Sequence, residues 1–295
     1  MSEEKWEHNF VEVNGIRMHY VSAGSGPLVL LLHGFPEFWY SWRHQIPVLS
    51  ENFHVVAPDM RGYNKTDKPS RIEDYSATNL IGDVAGLIQK LSPDDKKAIL
   101  VGHDWGGAIA WMVAMFEPQL IEKLIILNVG HPGARNRKGF LDFDQMKRSW
   151  YMFFFLLPEV PEEVLSRDDF EVLKKMVFDI ASRKEAFSEE DVEKYVSSWK
   201  EPGALTGAIN YYRAIPNASY WKELGKPRNF PPIKAPTLLI WGEDDPFLGK
   251  QLTENTEEFI DAPFRLEFIQ NCSHWVQQEA PDEVSRLILD FLGVG

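Results

Sequence analysis

Four short stretches of this sequence place chemically capable side chains where the chain turns. Gly102-His103-Asp104-Trp105-Gly106 sets a carboxylate between glycines. His33-Gly34-Phe35-Pro36 is a glycine-containing loop, Gly242-Glu243-Asp244-Asp245 is a run of acids, and Cys272-Ser273-His274-Trp275 carries an imidazole. The first has the small-x-nucleophile-x-small form of a nucleophile elbow, a tight strand-to-helix turn that holds its central residue in a strained conformation. Such a turn presents the side chain at a helix N-terminus, whose N–H groups and dipole favour negative charge. As a spacing alone, the pattern also fits an ordinary helix start with Asp104 as cap. An Asp at the centre narrows the reaction. At acyl carbon a carboxylate would give an unstable anhydride, whereas displacement at saturated carbon gives an alkyl ester that water cleaves. Epoxides and alkyl halides undergo that displacement. No Gly-x-Ser-x-Gly is present, which removes lipase, peptidase and thioesterase readings.

Each of the four stretches follows an apolar run. Leu28–Leu32, His54–Pro58 and residues 98–102, 123–128, 237–241 and 265–269 read as strands, several of them unbroken apolar runs suited to burial on both faces. Residues 10–13 and 17–23 are β-rich and joined by Asn14-Gly15, a strong hairpin signal. Apolar residues at Leu80, Ile81, Val84, Leu87, Ile88 and Leu91 give helical spacing over 78–91, and 108–116 and 282–291 also read as helices. A hairpin followed by alternating strands and helices predicts an α/β fold, a mostly parallel eight-stranded sheet covered by helices on both faces. Such sheets bind ligands beyond the carboxyl ends of their strands. The nucleophile candidate, the acids, the base and the glycine loop therefore meet on one edge. Between about 133 and 230 the alternation fails. Helical patterns over 162–180, Glu189–Trp199 and 205–215 stand there without a strand, so this stretch is expected to be a helical insertion between late strands.

The chain has 295 residues, with 31 Lys and Arg against 44 Asp and Glu, and this net charge of −13, with no dense Lys/Arg block, argues against a nucleic-acid partner. A 44% apolar and 25% charged composition is that of a globular chain. One cysteine, Cys272, excludes an intramolecular disulfide and any multi-cysteine zinc site, and fits a reducing compartment. The longest apolar run, 150–157, is far short of the roughly 20 residues of a membrane span, and the charged N-terminus is no signal peptide. A cytoplasmic protein, monomer or homodimer, with no membrane or nucleic-acid partner is the expectation.

His33-Gly-Phe-Pro-Glu-Phe-Trp-Tyr-Ser-Trp42, Asp59-Met-Arg-Gly-Tyr63, Gly102-His-Asp-Trp-Gly-Gly107 and Ser273-His274 resemble the α/β-hydrolase superfamily, and within it the soluble epoxide hydrolase branch. The resemblance is strong to about Pro132 and weaker through the insertion. It implies a hydrolase core of 1–132 and 231–295 with a helical cap, or lid, of 133–230, and no cofactor or metal. It implies that Asp104 attacks an oxirane carbon and that His274, oriented by Asp245, activates water against the resulting ester. Glu243 and Asp244 are neighbours that compete for the orienting role. It further implies an oxyanion hole from the backbone N–H groups of Phe35 and Trp105, with a cis peptide before Pro36. Asn210-Tyr-Tyr-Arg213 resembles the branch's second tyrosine motif, with Tyr212 matching, and Tyr151 matches the first. These phenols would protonate the epoxide oxygen, the bland alternative being aromatics that pack a lid. Phe38, Trp39, Trp150 and Phe154 are expected to line an apolar substrate pocket.

Two other functions remain on the sequence. A haloalkane or haloacetate dehalogenase shares the nucleophile, base and acid, and Trp105 and Trp150 would supply its halide-binding indoles. A ligand-binding receptor on the same fold should have lost part of the triad, which this chain keeps. His103 and His33 read as packing or hydrogen-bonding residues and Cys272 as a small core residue. His8, His19, His44 and His54 lack metal-ligand spacing, and His131 has no assigned role.

Overall fold

The computed structural model describes residues 6–92, 97–134, 142–214 and 230–294. Strands β1 (Glu7–Val13) and β2 (Ile16–Ala23) form a hairpin through Asn14 and Gly15, both at positive φ as a two-residue turn of that hand requires. β3 (Leu28–Leu32), β4 (His54–Pro58), β5 (Ala98–His103), β6 (Ile121–Leu127), β7 (Thr237–Gly242) and β8 (Phe264–Ile269) complete one sheet in the order β1-β2-β4-β3-β5-β6-β7-β8. β1 and β2 run antiparallel to their neighbours, and every other pairing is parallel. β3, β5 and β7 are buried along their whole length, because helices cover both faces of the parallel part. The expected α/β-hydrolase sheet is the one observed.

Helix α1 (Gln45–Leu49) follows β3, α2 (Ala77–Leu91) follows β4, and α3 (Asp104–Phe116) follows β5. α2 buries Leu80, Val84, Leu87 and Ile88 as its spacing requires, together with Asp83, which is paired with Arg61 at 2.6 Å. α3 starts at Asp104, four residues before the expected 108, so the nucleophile candidate sits in its first turn. Between β6 and β7 lie α4 (Phe143–Arg148), α5 (Trp150–Phe154), α6 (Val160–Lys174), a π-helical turn (Lys175–Asp179), α7 (Glu189–Trp199) and α8 (Ala204–Ala214). No strand occurs there among the described residues. The expected helix over 162–180 is broken: Asp168, Asp169 and Phe170 hold positive φ, and the π turn follows. Apolar periodicity continues across that break, so spacing alone does not reveal it. The last residue of the expected 205–215 helix lies outside the described residues. α9 (Val276–Glu279) and α10 (Pro281–Leu292) close the chain, α10 ending at Gly293 in the left-handed conformation that caps helices. No helix among the described residues is long and apolar enough to cross a membrane.

Candidate active site

β5 delivers Asp104 to the cleft at φ 48°, the left-handed region that non-glycine residues seldom occupy. The close approach around it explains the flanking glycines. A Cβ on Gly106 would lie 2.3 Å from the Leu32 carbonyl oxygen, and one on Gly34 would lie 2.4 Å from the Asp104 Cβ. The loop after β3 thus touches the elbow, and the Phe35 N–H donates to Asp104 Oδ1 at 2.8 Å. The Phe35–Pro36 peptide is cis, as the resemblance implies. The Trp105 amide lies in the first turn of α3, where backbone N–H groups have no partner within the helix.

His274, on the loop after β8, reaches both carboxylates. Its Nε2 is 3.6 Å from Asp104 Oδ2, and its Nδ1 donates to Asp245 Oδ2 at 2.6 Å. Burial disfavours the imidazolium, but the charge of Asp245 and the bonds to Asp104 and Asp245 outweigh it and push His274 up to about 10. Burial likewise raises Asp104, and the bond and charge of His274, the charge of His103 and the Phe35 N–H together hold it below its usual value. Of the three adjacent acids, Asp245 is the buried one; Asp244 is exposed and Glu243 pairs with Lys250 at 2.9 Å. Asp245 Oδ1 accepts the Phe247 and Leu248 N–H groups at 2.8 Å each, and Asn128 Nδ2 donates to Oδ2 at 2.7 Å. Asn128 stands just past the end of β6 and also accepts the Gly242 N–H at 3.0 Å. The strand-end rule, extended to β6, finds it.

Behind the triad, Glu37 accepts from the Gly34 N–H, from Gln277 and from Gln278, and pairs with His103 Nδ1 at 2.7 Å. His103 Nε2 reaches the His274 carbonyl at 2.8 Å. Both ring nitrogens of His103 lie within hydrogen-bond distance of a partner. His103 is thus a hydrogen-bonding residue, as expected, and Glu37 is a buried partner that no spacing signal marks. His33 Nε2 accepts the Met60 N–H at 3.0 Å and steadies the same loop. His131 lies stacked on Phe259 at 4.5 Å.

Above Asp104 is a narrow cavity of about 10 Å³, lined by Phe35, Pro36, Tyr151, Met176, Tyr212, Phe247, His274 and Trp275. Tyr151 and Tyr212 come from α5 and α8, with ring centroids 6.0 Å apart. Burial, then the charges of Tyr151 and Asp104, pushes the Tyr212 phenol well above its usual value, so it is a neutral donor. A wider space of about 710 Å³ lies elsewhere, against Ser70, Glu162, Asn210 and Arg213. It holds the Arg213–Glu162 ion pair and none of Asp104, His274 and Asp245.

The expected pocket residues stand apart from this lining. Tyr151 on α5 and Phe155 at its C-cap point inward, four residues apart, and Trp150 and Phe154 occupy the face one residue out of phase. Trp150 is 64% exposed as a result. Phe38 packs on Tyr195 at 5.3 Å and Trp39 on Trp6 at 5.4 Å. Met176, Phe247 and Trp275 take the places those four were expected to fill. Among the described residues, no three His, Cys, Asp or Glu side chains group as a metal site.

A family model described as the alpha/beta hydrolase fold matches residues 27–281. The chain is 42% identical over 96% of its length, and 96% of the relative's, to the AB hydrolase superfamily protein YfhM of Bacillus subtilis. It is 41% identical over 97% of its length to Epoxide hydrolase 3 of Xenopus tropicalis, covering 78% of that protein. Among solved structures, an epoxide hydrolase from Bacillus megaterium in complex with an inhibitor superposes with a TM-score of 0.89 at 35% identity, over 97% of this chain and all of the other.

Proposed function

The chain belongs to the alpha/beta hydrolase fold family, and from that membership we propose that it is an epoxide hydrolase, converting small, largely apolar epoxides to vicinal diols. The observation that carries this reading is the meeting of one carboxylate nucleophile, one carboxylate-held imidazole and two phenols around a single cavity. Asp104 attacks an oxirane carbon, the C–O bond breaks, and Tyr212 or Tyr151 gives its proton to the departing oxygen, leaving a hydroxyalkyl ester. Alkylation removes the charge of Asp104, one of the two carboxylates that hold His274 as imidazolium. The imidazole then releases its proton, which restores the phenol through solvent, and takes one from a water. That water attacks the ester carbonyl, the Phe35 and Trp105 N–H groups stabilise the oxyanion, and its collapse breaks the ester C–O bond. The departing alkoxide takes the new carboxyl's proton and leaves as the diol, restoring the Asp104 carboxylate. Residues 133–230 act as the cap over a core of 1–132 and 231–295, with no cofactor, in the cytoplasm.

A dehalogenase would use the same triad but needs N–H donors for halide. Trp150, its second indole candidate, is largely exposed and outside the cavity, and two phenols occupy the place instead. The receptor reading has little support from a site whose base and acid are in hydrogen-bond contact at 2.6 Å. Repeated turnover of an epoxide in ¹⁸O-water, followed by peptide mass analysis, tests the proposal. Label is expected in the Asp104 peptide. Halide release from haloalkanes without diol formation from epoxides would sink it, and so would full diol production by Asp104→Ala.

A further inference from the structure

The cap holds the core's acid turn as well as covering the cavity. Gln145, on α4, is 2% exposed and spends its whole side-chain amide on neighbours. Its Nε2 donates to the Phe247 carbonyl and to Ser149 Oγ, each at 2.8 Å, and its Oε1 accepts the Gly249 N–H at 2.9 Å. Arg148, one turn on, donates to the Asp245 carbonyl at 2.6 Å. The segment they grip is the turn whose Phe247 and Leu248 N–H groups point at Asp245 Oδ1. The Phe247 ring in turn stacks on Trp275 at 5.6 Å and meets His274 edge-on at 5.5 Å. Ser149, the buried partner of Gln145, joins α4 directly to α5, which carries Tyr151.

We propose that residues 142–155 of the cap form one positioning clamp: Gln145 fixes the Asp245 turn beneath His274 while Tyr151, on the next helix, faces the reacting oxygen. Gln145 is therefore a positioning residue for the ester-hydrolysis half of the reaction. A flat amide is suited to the place because it donates to a carbonyl and accepts from an N–H with one rigid group. Leucine there would leave the Phe247 carbonyl and the Gly249 N–H unpaired, and the turn would relax toward other partners. Asp245 would then lose its aim on His274 Nδ1. This deepens the epoxide-hydrolase reading and rests on it for its kinetic part.

The test compares the full-length wild type with Gln145→Leu and Gln145→Glu, using phenyloxirane in single-turnover mixing and proton NMR of the His274 Nδ1–H. Misplacing the acid by a fraction of an ångström should slow ester hydrolysis roughly 10- to 100-fold, with alkylation of Asp104 changed by about threefold at most. The Nδ1–H resonance, far downfield in wild type because of its short charge-assisted bond, should move upfield in both variants. Gln145→Glu keeps the acceptor for Gly249 and loses the donor to Phe247, so it reports on the clamp if the leucine variant does not fold. Arg148→Met, at an exposed position, should slow the same step by a smaller factor. Equal slowing of both steps, or an unmoved resonance in the Gln145 variants, overturns the clamp. Should wild type make no diol from epoxides, the functional reading fails, and the resonance alone decides the clamp.

Discussion

Asp104 opens α3 directly at the end of β5, and His274 and Asp245 stand on loops leaving β8 and β7, whereas Tyr151 and Tyr212 stand on helices α5 and α8 of the insertion. The strand-end half is fixed by backbone against backbone. Gly106 lies where any Cβ would meet the Leu32 and His33 carbonyl oxygens, and Asp104, two residues before it, holds positive φ. The cap half is fixed by ring against ring. Tyr212 meets Phe35, Phe155 and Trp105 at centroid distances of 5.4, 4.9 and 5.1 Å. Backbone contacts admit one residue type, and ring contacts admit several of similar volume. Asp104, the nucleophile of the proposed mechanism, is thus held where sequence can change least, and the shape of the cavity is set where it can change more.

The sharpest way to break this contrast is Gly106→Ala. The added methyl has no flexible neighbour to displace, so stability should fall by about 3 kcal/mol. Phe155→Leu, in the buried cap, should cost about 1 kcal/mol because volume is nearly kept. Denaturant midpoints with unchanged slopes would measure both. Diol formation should drop more than about 100-fold in the glycine variant, since the nucleophile loses its place. Comparable losses in the two variants would mean that the elbow is no more constrained than the cap.

The same contrast explains what was legible in the sequence. Gly102, Asp104 and Gly106 could be read because the turn demands small residues at fixed offsets, and the hairpin and parallel strands because apolar runs and Asn14-Gly15 are local signals. Asp245 could not be separated from Glu243 and Asp244 by spacing, since the shape of the turn decides which carboxylate is buried. In the cap, Trp150 and Phe154 were as aromatic as Tyr151, and only the phase of a five-residue helix turns one outward and the other in. Glu37 and Asn128 carry no periodic signal; Asn128 is legible only as a strand-end residue, and Glu37 only through what it accepts from.

A pH series sharpens the comparison further, because the two halves titrate in different ranges. His274 is raised in the folded state from an ordinary 6.5 to about 10. Its contribution to stability is therefore complete below about 6.5 and is lost as pH rises through about 10. Asp104 is lowered, so its contribution is present above 3.8 and is lost as pH falls through its folded value. Unfolding midpoints should decline toward alkaline pH in wild type and decline less in His274→Gln. In single turnover, ester hydrolysis should rise with pH, with a midpoint below about 10, because the alkylated enzyme has lost the Asp104 charge. Alkylation should stay level across the neutral range, since Tyr212 remains protonated there and Asp104 ionised. A hydrolysis step indifferent to pH would remove His274 as the base.

The smallest effects belong to cap positions, where they separate cavity lining from mere aromatic content. Met176, half-buried on the π turn, is an unbranched side chain in a cavity otherwise walled by rings, Pro36 and Asp104. Met176→Ala should widen that cavity and raise kcat/KM for bulky epoxides relative to small ones roughly 10-fold, within the 1–3 kcal/mol that one methylene is worth in an apolar pocket. Trp150 lies on the neighbouring cap face and is 64% exposed. Trp150→Ala should leave the same ratio unchanged and stability within about 0.5 kcal/mol. The pair is informative because the tryptophan is the larger side chain and the closer in sequence to Tyr151. If Trp150→Ala shifted substrate preference as much as Met176→Ala, the outward phase of α5 would be wrong for the working enzyme, and an indole would again be available to the cavity.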